Sequence, residues 1–190
     1  MIRKLLLSDL ERHYQLEGHP GRKATLGRLV LHAGNPRFLP VVLCRMAYAL
    51  HRRKLGVLGR LFSMFNFVFF GIEISMSCEI GPGLYLPHTS GTVIGARSIG
   101  SNVIIYNGVT LGTKELDVVY HPEWRPIIGD NVVLGAGAKV LGRIKIGKNT
   151  VVCANSLVLR SFSGNVIVGG IPASILRRLA KDPDSMVTTK

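Results

Sequence analysis

A six-residue beat constrains this chain more than any other feature. Every sixth position is aliphatic from Ile99 through Ile105 to Leu111, and again from Ile128 through Leu134, Val140, Ile146 and Val152 to Val158. Gly follows the beat residue at Gly100, Gly112, Gly129, Gly135 and Gly147. A period of six suits neither an α-helix, which repeats every ~3.6 residues, nor an alternating strand. It suits short parallel strands joined by tight turns, with each hexad forming one flat side and three hexads closing a coil. The beat residue then points inward, and Gly or Asn at the corners supplies backbone angles that other residues resist. The expected fold is mainly β, a parallel β-helix.

The remaining segments read as additions to that coil. Residues 1–70 are expected to be a short helical region. Ser8-Asp9-Leu10-Glu11 looks like a capping box, Gly18 to Gly21 is a break, and a helix runs from about Val41 to Lys54. The β-helix is expected over 71–173, interrupted by a protruding loop at 113–126, where a polar stretch with His121, Trp124 and two prolines breaks the beat. Residues 174–190 are expected to form a short basic helix and a tail.

Composition narrows the function classes. The three cysteines, Cys44, Cys78 and Cys153, have no metal-ligand or redox spacing and read as reduced thiols of a cytoplasmic protein. The formal net charge of +13 comes from scattered basic residues with no nucleic-acid-binding signature, so no nucleic-acid partner is expected. The first residues turn acidic at Asp9 and Glu11 before any long apolar stretch, unlike a signal peptide. The apolar segment Leu61 to Ile74 is too short to span a bilayer, which takes about 20 residues. It reads as a helix packed on the coil or on a neighbouring subunit. The alternative is a peripheral membrane contact flanked by Arg52, Arg53, Lys54 and Arg60. A short parallel coil has an exposed flank, and association about a threefold axis covers it, so a homotrimer with sites between subunits is expected.

Among six histidines, His88 and His121 lie where chemistry is expected. His88 sits at a coil edge among small polar residues, and Glu73 precedes it by 15 positions. With about 18 residues per coil, that spacing sets the two on adjacent turns. A carboxylate that orients an imidazole is a general-base arrangement.

Gly71-Ile72-Glu73-Ile74, Ile80 to Gly91, Gly108 to Gly112, Gly135 to Gly142 and Gly170-Ile171-Pro172-Ala173 together resemble the coils of serine acetyltransferases. The resemblance covers roughly residues 30 to 178. It implies a left-handed β-helix of hexapeptide repeats and an acyltransferase that uses acetyl-CoA as cosubstrate without a metal. By position, His88 matches the catalytic base, Glu73 its acidic partner and His121 the loop histidine on the acceptor side. Gly112, Thr113, Ala136, Lys139 and Ala154 match positions along the groove for CoA.

Three positions depart from the family. The aspartate before the catalytic histidine is Pro87 here, a second aspartate before a proline is Asn35, and the arginine before the loop histidine is Tyr120. Asn35 and Tyr120 are therefore the acceptor-binding candidates. Loss of three charged anchors leaves the ammonium and carboxylate of serine poorly paired. The expectation is thus O-acetylation of a sugar or glycan precursor, closer to the acetyltransferases of polysaccharide biosynthesis, with serine O-acetyltransferase of cysteine synthesis as the alternative. A carbonic-anhydrase-like metal site needs three converging histidines, and the coil region supplies only His88 and His121. A non-catalytic structural or membrane-tethered subunit is the remaining reading.

Overall fold

The computed structural model of the chain describes residues 2–115 and 121–180. Four helices come first: α1 (Ile2–Leu16), α2 (Leu26–His32), α3 (Leu39–Arg52) and α4 (Gly56–Phe70). Gly71 ends α4 in a left-handed conformation (φ 60°), the backbone geometry that glycine adopts without strain, and the chain turns there into the coil.

From Ile72 the chain winds as a parallel β-helix with three flat sides. The first side stacks β1 (Ile72–Ile74), β3 (Thr92–Ile94), β6 (Thr110–Gly112), β9 (Lys139–Leu141) and β12 (Leu157–Val158). The second stacks β2 (Glu79–Ile80), β4 (Ser98–Ile99), β7 (Ile127–Ile128) and β10 (Lys145–Ile146). The third stacks β5 (Ile104–Ile105), β8 (Val133–Leu134), β11 (Val151–Val152), β13 (Val166–Gly170) and β14 (Ala173–Arg178). Every pairing is parallel except β13 with β14.

The register follows from the beat. Strands of two or three residues present one side chain inward, and all nine beat residues from Ile99 to Val158 are buried. Each such side chain removed from water stabilises the coil by about 1.5–3 kcal/mol, which lets strands this short persist. At the edge between the second and third sides, Asn102, Asn131, Asn149 and Asn165 all have positive φ, from 54° to 59°. Their amides join in a ladder, with Asn102 Nδ2 donating to Asn131 Oδ1 (3.3 Å), Asn131 to Asn149 (3.0 Å) and Asn149 to Asn165 (2.9 Å). Asn tolerates left-handed backbone, and the ladder repeats that preference turn after turn.

Two local expectations are corrected. Ser8-Asp9-Leu10-Glu11 lies inside α1 and caps nothing, because Asp9 is fully buried and pairs with Arg45 of α3. Residues 174–178 form a strand and not a helix, since β14 folds back antiparallel on β13 and closes the last coil.

Asp9 and Arg45 join the helices to the coil. Arg45 Nε and Nη2 donate to the Asp9 carboxylate, both at 2.9 Å. Asp9 Oδ1 also accepts from the backbone N–H groups of Gly83 (2.8 Å) and Leu84 (2.9 Å), and Arg45 Nη2 donates to Gly81 O (2.6 Å). A buried pair with this many partners is satisfied on both sides.

Candidate active site

His88 lies on the edge between the third and first sides, in the corner that leads into β3. That corner is clamped to the end of α4. Thr89 Oγ1 donates to Phe70 O (2.8 Å), and Gly91 N–H donates to Gly71 O (2.9 Å). The His88 side chain is exposed and makes no hydrogen bond among the described residues. It borders a depression of about 360 Å³ whose other walls include Phe69, Phe70, Ser90 and Arg37.

Arg37 reaches this depression through the α2–α3 connection. Asn35 Oδ1 accepts from the Arg37 backbone N–H at 2.9 Å, so the Asn35 side chain is used to build its own turn. The turn sets Pro36 and Arg37 on the lip, with the Arg37 side chain 58% exposed and its guanidinium 4.0 Å from the Glu17 carboxylate. Arg37 was not singled out from the sequence. Its only local signal is the cation that follows the turn-forming Asn-Pro pair.

The expected contact between Glu73 and His88 is not made. Glu73 is exposed on β1 between inward-facing Ile72 and Ile74, and no hydrogen bond or ion pair joins it to His88. It borders a separate depression of about 640 Å³ on the first side, together with Gly112, Thr113 and Arg125. Alternation along β1 sends its carboxylate outward from the flat side, whereas His88 projects from a corner.

His121 sits on the loop that leaves the coil after β6, at the edge between the first and second sides. Its ring stacks on Trp124 with centroids 4.2 Å apart, and Nδ1 lies 3.1 Å from Glu123 Oε1. The return leg is held by Arg125, whose Nη1 donates to Gly95 O at 2.9 Å. A Cβ at Gly95 would stand 2.5 Å from Arg125 Nη1 and 3.0 Å from Leu111 O, so a side chain there would displace the guanidinium. One chain therefore places His88 and His121 on different edges of the coil. Tyr120 lies outside the described residues.

The residues matched to the CoA groove all surround the first side. Ala136 and Ala154 occupy the same edge as His88, stacked on successive coils, with Asn155 N–H donating to Ala136 O (2.8 Å). Lys139 stands on β9, its Nζ donating to Gly108 O (2.6 Å) and Thr110 Oγ1 (3.0 Å). Gly112 and Thr113 lie at the far edge, where the loop departs, and Thr113 Oγ1 donates to Glu115 O (2.7 Å).

Cysteine chemistry finds no support in the core. Burial pushes the Cys44 thiol up to about 11 and Cys78 to about 12, so both stay protonated near neutrality. Among the described residues no cluster of three His, Cys, Asp or Glu side chains is placed to hold a metal ion.

The family described as bacterial transferase hexapeptide (six repeats) matches residues 125–160. Serine acetyltransferase of Staphylococcus aureus strain Mu50 is 41% identical over 165 residues, which is 85% of this chain and 74% of that enzyme. The chain belongs to the serine acetyltransferase family. Among solved structures, the Brucella abortus serine acetyltransferase in complex with coenzyme A superposes with a TM-score of 0.78 at 28% identity, covering 94% of this chain and 68% of that one. The Neisseria gonorrhoeae serine acetyltransferase in complex with serine gives a TM-score of 0.75 at 30% identity, covering 91% and 68%.

The coil is accordingly the left-handed β-helix of this family, and the chain is an acetyl-CoA-dependent acyltransferase. The expectation of a sugar or glycan acceptor, and of a closer tie to polysaccharide biosynthesis, is overturned. Relatives 41% identical over most of the chain are serine acetyltransferases. The expectation rested on three absent anchors and took no account of Arg37, a cation on the lip of the His88 depression.

Proposed function

We propose that this enzyme transfers the acetyl group of acetyl-CoA to the hydroxyl of L-serine, with His88 as general base. The observation that carries the reading is its extensive similarity to serine acetyltransferases, joined to a depression whose lining includes both His88 and Arg37. His88 takes the hydroxyl proton as the serine oxygen attacks the thioester carbonyl. A backbone N–H or loop donor stabilises the oxyanion, and collapse of the tetrahedral species breaks the C–S bond. The imidazolium returns its proton to the CoA thiolate.

Arg37 is the group suited to the carboxylate of serine, a charge-assisted contact in place of the absent arginine. The working unit is a homotrimer. In it, CoA lies along Gly112, Thr113, Ala136, Lys139 and Ala154 between subunits, and the His121 loop of one subunit meets the His88 edge of its neighbour. This arrangement accounts for the two histidines occupying different edges of one chain.

The test is His88→Ala with L-serine as acceptor. Its kcat is expected to fall by about a hundredfold or more while acetyl-CoA binding is retained. Near-normal turnover would remove His88 from the mechanism.

A further inference from the structure

The helical region carries an apolar surface that acetyl transfer does not use. α4 buries only Gly59 and Asn66. Both face α3, where Asn66 Nδ2 donates to Pro40 O at 3.0 Å and a Cβ on Gly59 would meet Ala47 O at 3.0 Å. At about 3.6 residues per turn, Val57, Leu61, Met64 and Val68 run along the opposite side. They are 81%, 43%, 52% and 64% exposed, and Phe67 beside them is 62% exposed. Phe65 widens the surface and stacks on Phe69 at 5.8 Å. An apolar face this broad on a folded chain marks a contact with something apolar.

Charge decides what that something is. From Gly18 to Ile72 the chain has no Asp or Glu and nine Lys and Arg residues. Arg52, Arg53 and Lys54 are exposed at the N-terminal end of α4, and Arg60 is exposed on α4 itself. A second copy packed face to face on this surface would bring cation against cation, whereas an anionic lipid surface complements it. The 15 residues of α4 extend about 22 Å, short of a hydrocarbon core of about 30 Å. A helix of this length lies along an interface and does not cross it.

We propose that α4 docks the enzyme reversibly on an anionic membrane. Val57, Leu61, Met64 and Val68 enter the interface, and Arg52, Arg53, Lys54 and Arg60 meet the headgroup phosphates.

Co-sedimentation of the full chain with lipid vesicles tests this, using phosphatidylcholine alone and an equimolar mixture of phosphatidylcholine and phosphatidylglycerol. The protein is expected to sediment with the mixed vesicles at low salt and to stay in solution with the neutral ones. The triple substitution Arg52→Glu, Arg53→Glu, Lys54→Glu should lower partition by about a hundredfold. The pair Val57→Ser, Val68→Ser should lower it by about tenfold. Circular dichroism checks that both variants are folded, and the wild-type result stands without them. Absence of wild-type binding to the mixed vesicles overturns the proposal, as does unchanged partition in either folded variant. A change in oligomeric state of the serine variant without vesicles also overturns it, by assigning the face to a neighbouring subunit.

Discussion

His13 packs against His32, Phe38 and Tyr85 with ring centroids 5.5 to 5.9 Å apart, and its Nε2 lies 3.2 Å from Glu17 Oε2. Burial outweighs the pull of Glu17 and holds the imidazole below its ordinary range. The folded state therefore takes up this proton less readily than the unfolded chain. This contribution to stability is constant above pH ~6.5 and falls as pH drops below that value. Thermal unfolding followed from about pH 7.5 down to about pH 5.5 should show a decreasing Tm, with a shallower decrease in His13→Gln. An identical pH dependence in the two proteins would exclude His13 as the cause. The same Glu17 lies 4.0 Å from Arg37. The pair ties Arg37, which lines the depression that His88 borders, to the end of α1.

At the scale of elements, the joint between helices and coil rests on Asp9 of α1 and Arg45 of α3. Asp9→Asn leaves the buried guanidinium without its counter-ion and weakens the acceptor for the Gly83 and Leu84 N–H groups. Breaking one side of a buried pair costs about 3–5 kcal/mol, which denaturant unfolding should register. A loss below about 1 kcal/mol would mean that packing alone holds the helices in place. This joint also marks the limit of what is legible in the sequence. The coil is readable because each beat position meets the same local demand, an aliphatic side chain inside and a Gly or Asn at the corner. Asp9 meets its partner 36 residues away, and a local pattern assigns it to a helix cap instead. The Ser174–Arg178 run is basic and apolar enough to suit a helix, and only pairing with β13 makes it a strand. His88 is recognisable from its motif. The separation of Glu73 from it depends on which way β1 alternates, and Arg37 comes to the site through a turn outside the repeat.

At the scale of the molecule, separation of His88 and His121 onto different edges argues for a site shared between subunits. Co-expression of His88→Ala and His121→Ala chains distinguishes the arrangements. Sites built from two chains should regain about one quarter of the wild-type activity in randomly mixed trimers, since that share of interfaces receives both histidines. Sites contained within one chain would stay inactive in every mixture. Acceptor identity remains the claim on which the rest depends, because the anchors usual for serine are absent at Asn35 and Pro87 while Arg37 is present. The direct measurement is the initial rate of CoA release from acetyl-CoA titrated with L-serine, with the acetylated product identified by mass. Saturable, serine-dependent release of CoA with O-acetylserine as product is the expected result; a rate independent of serine would contradict it.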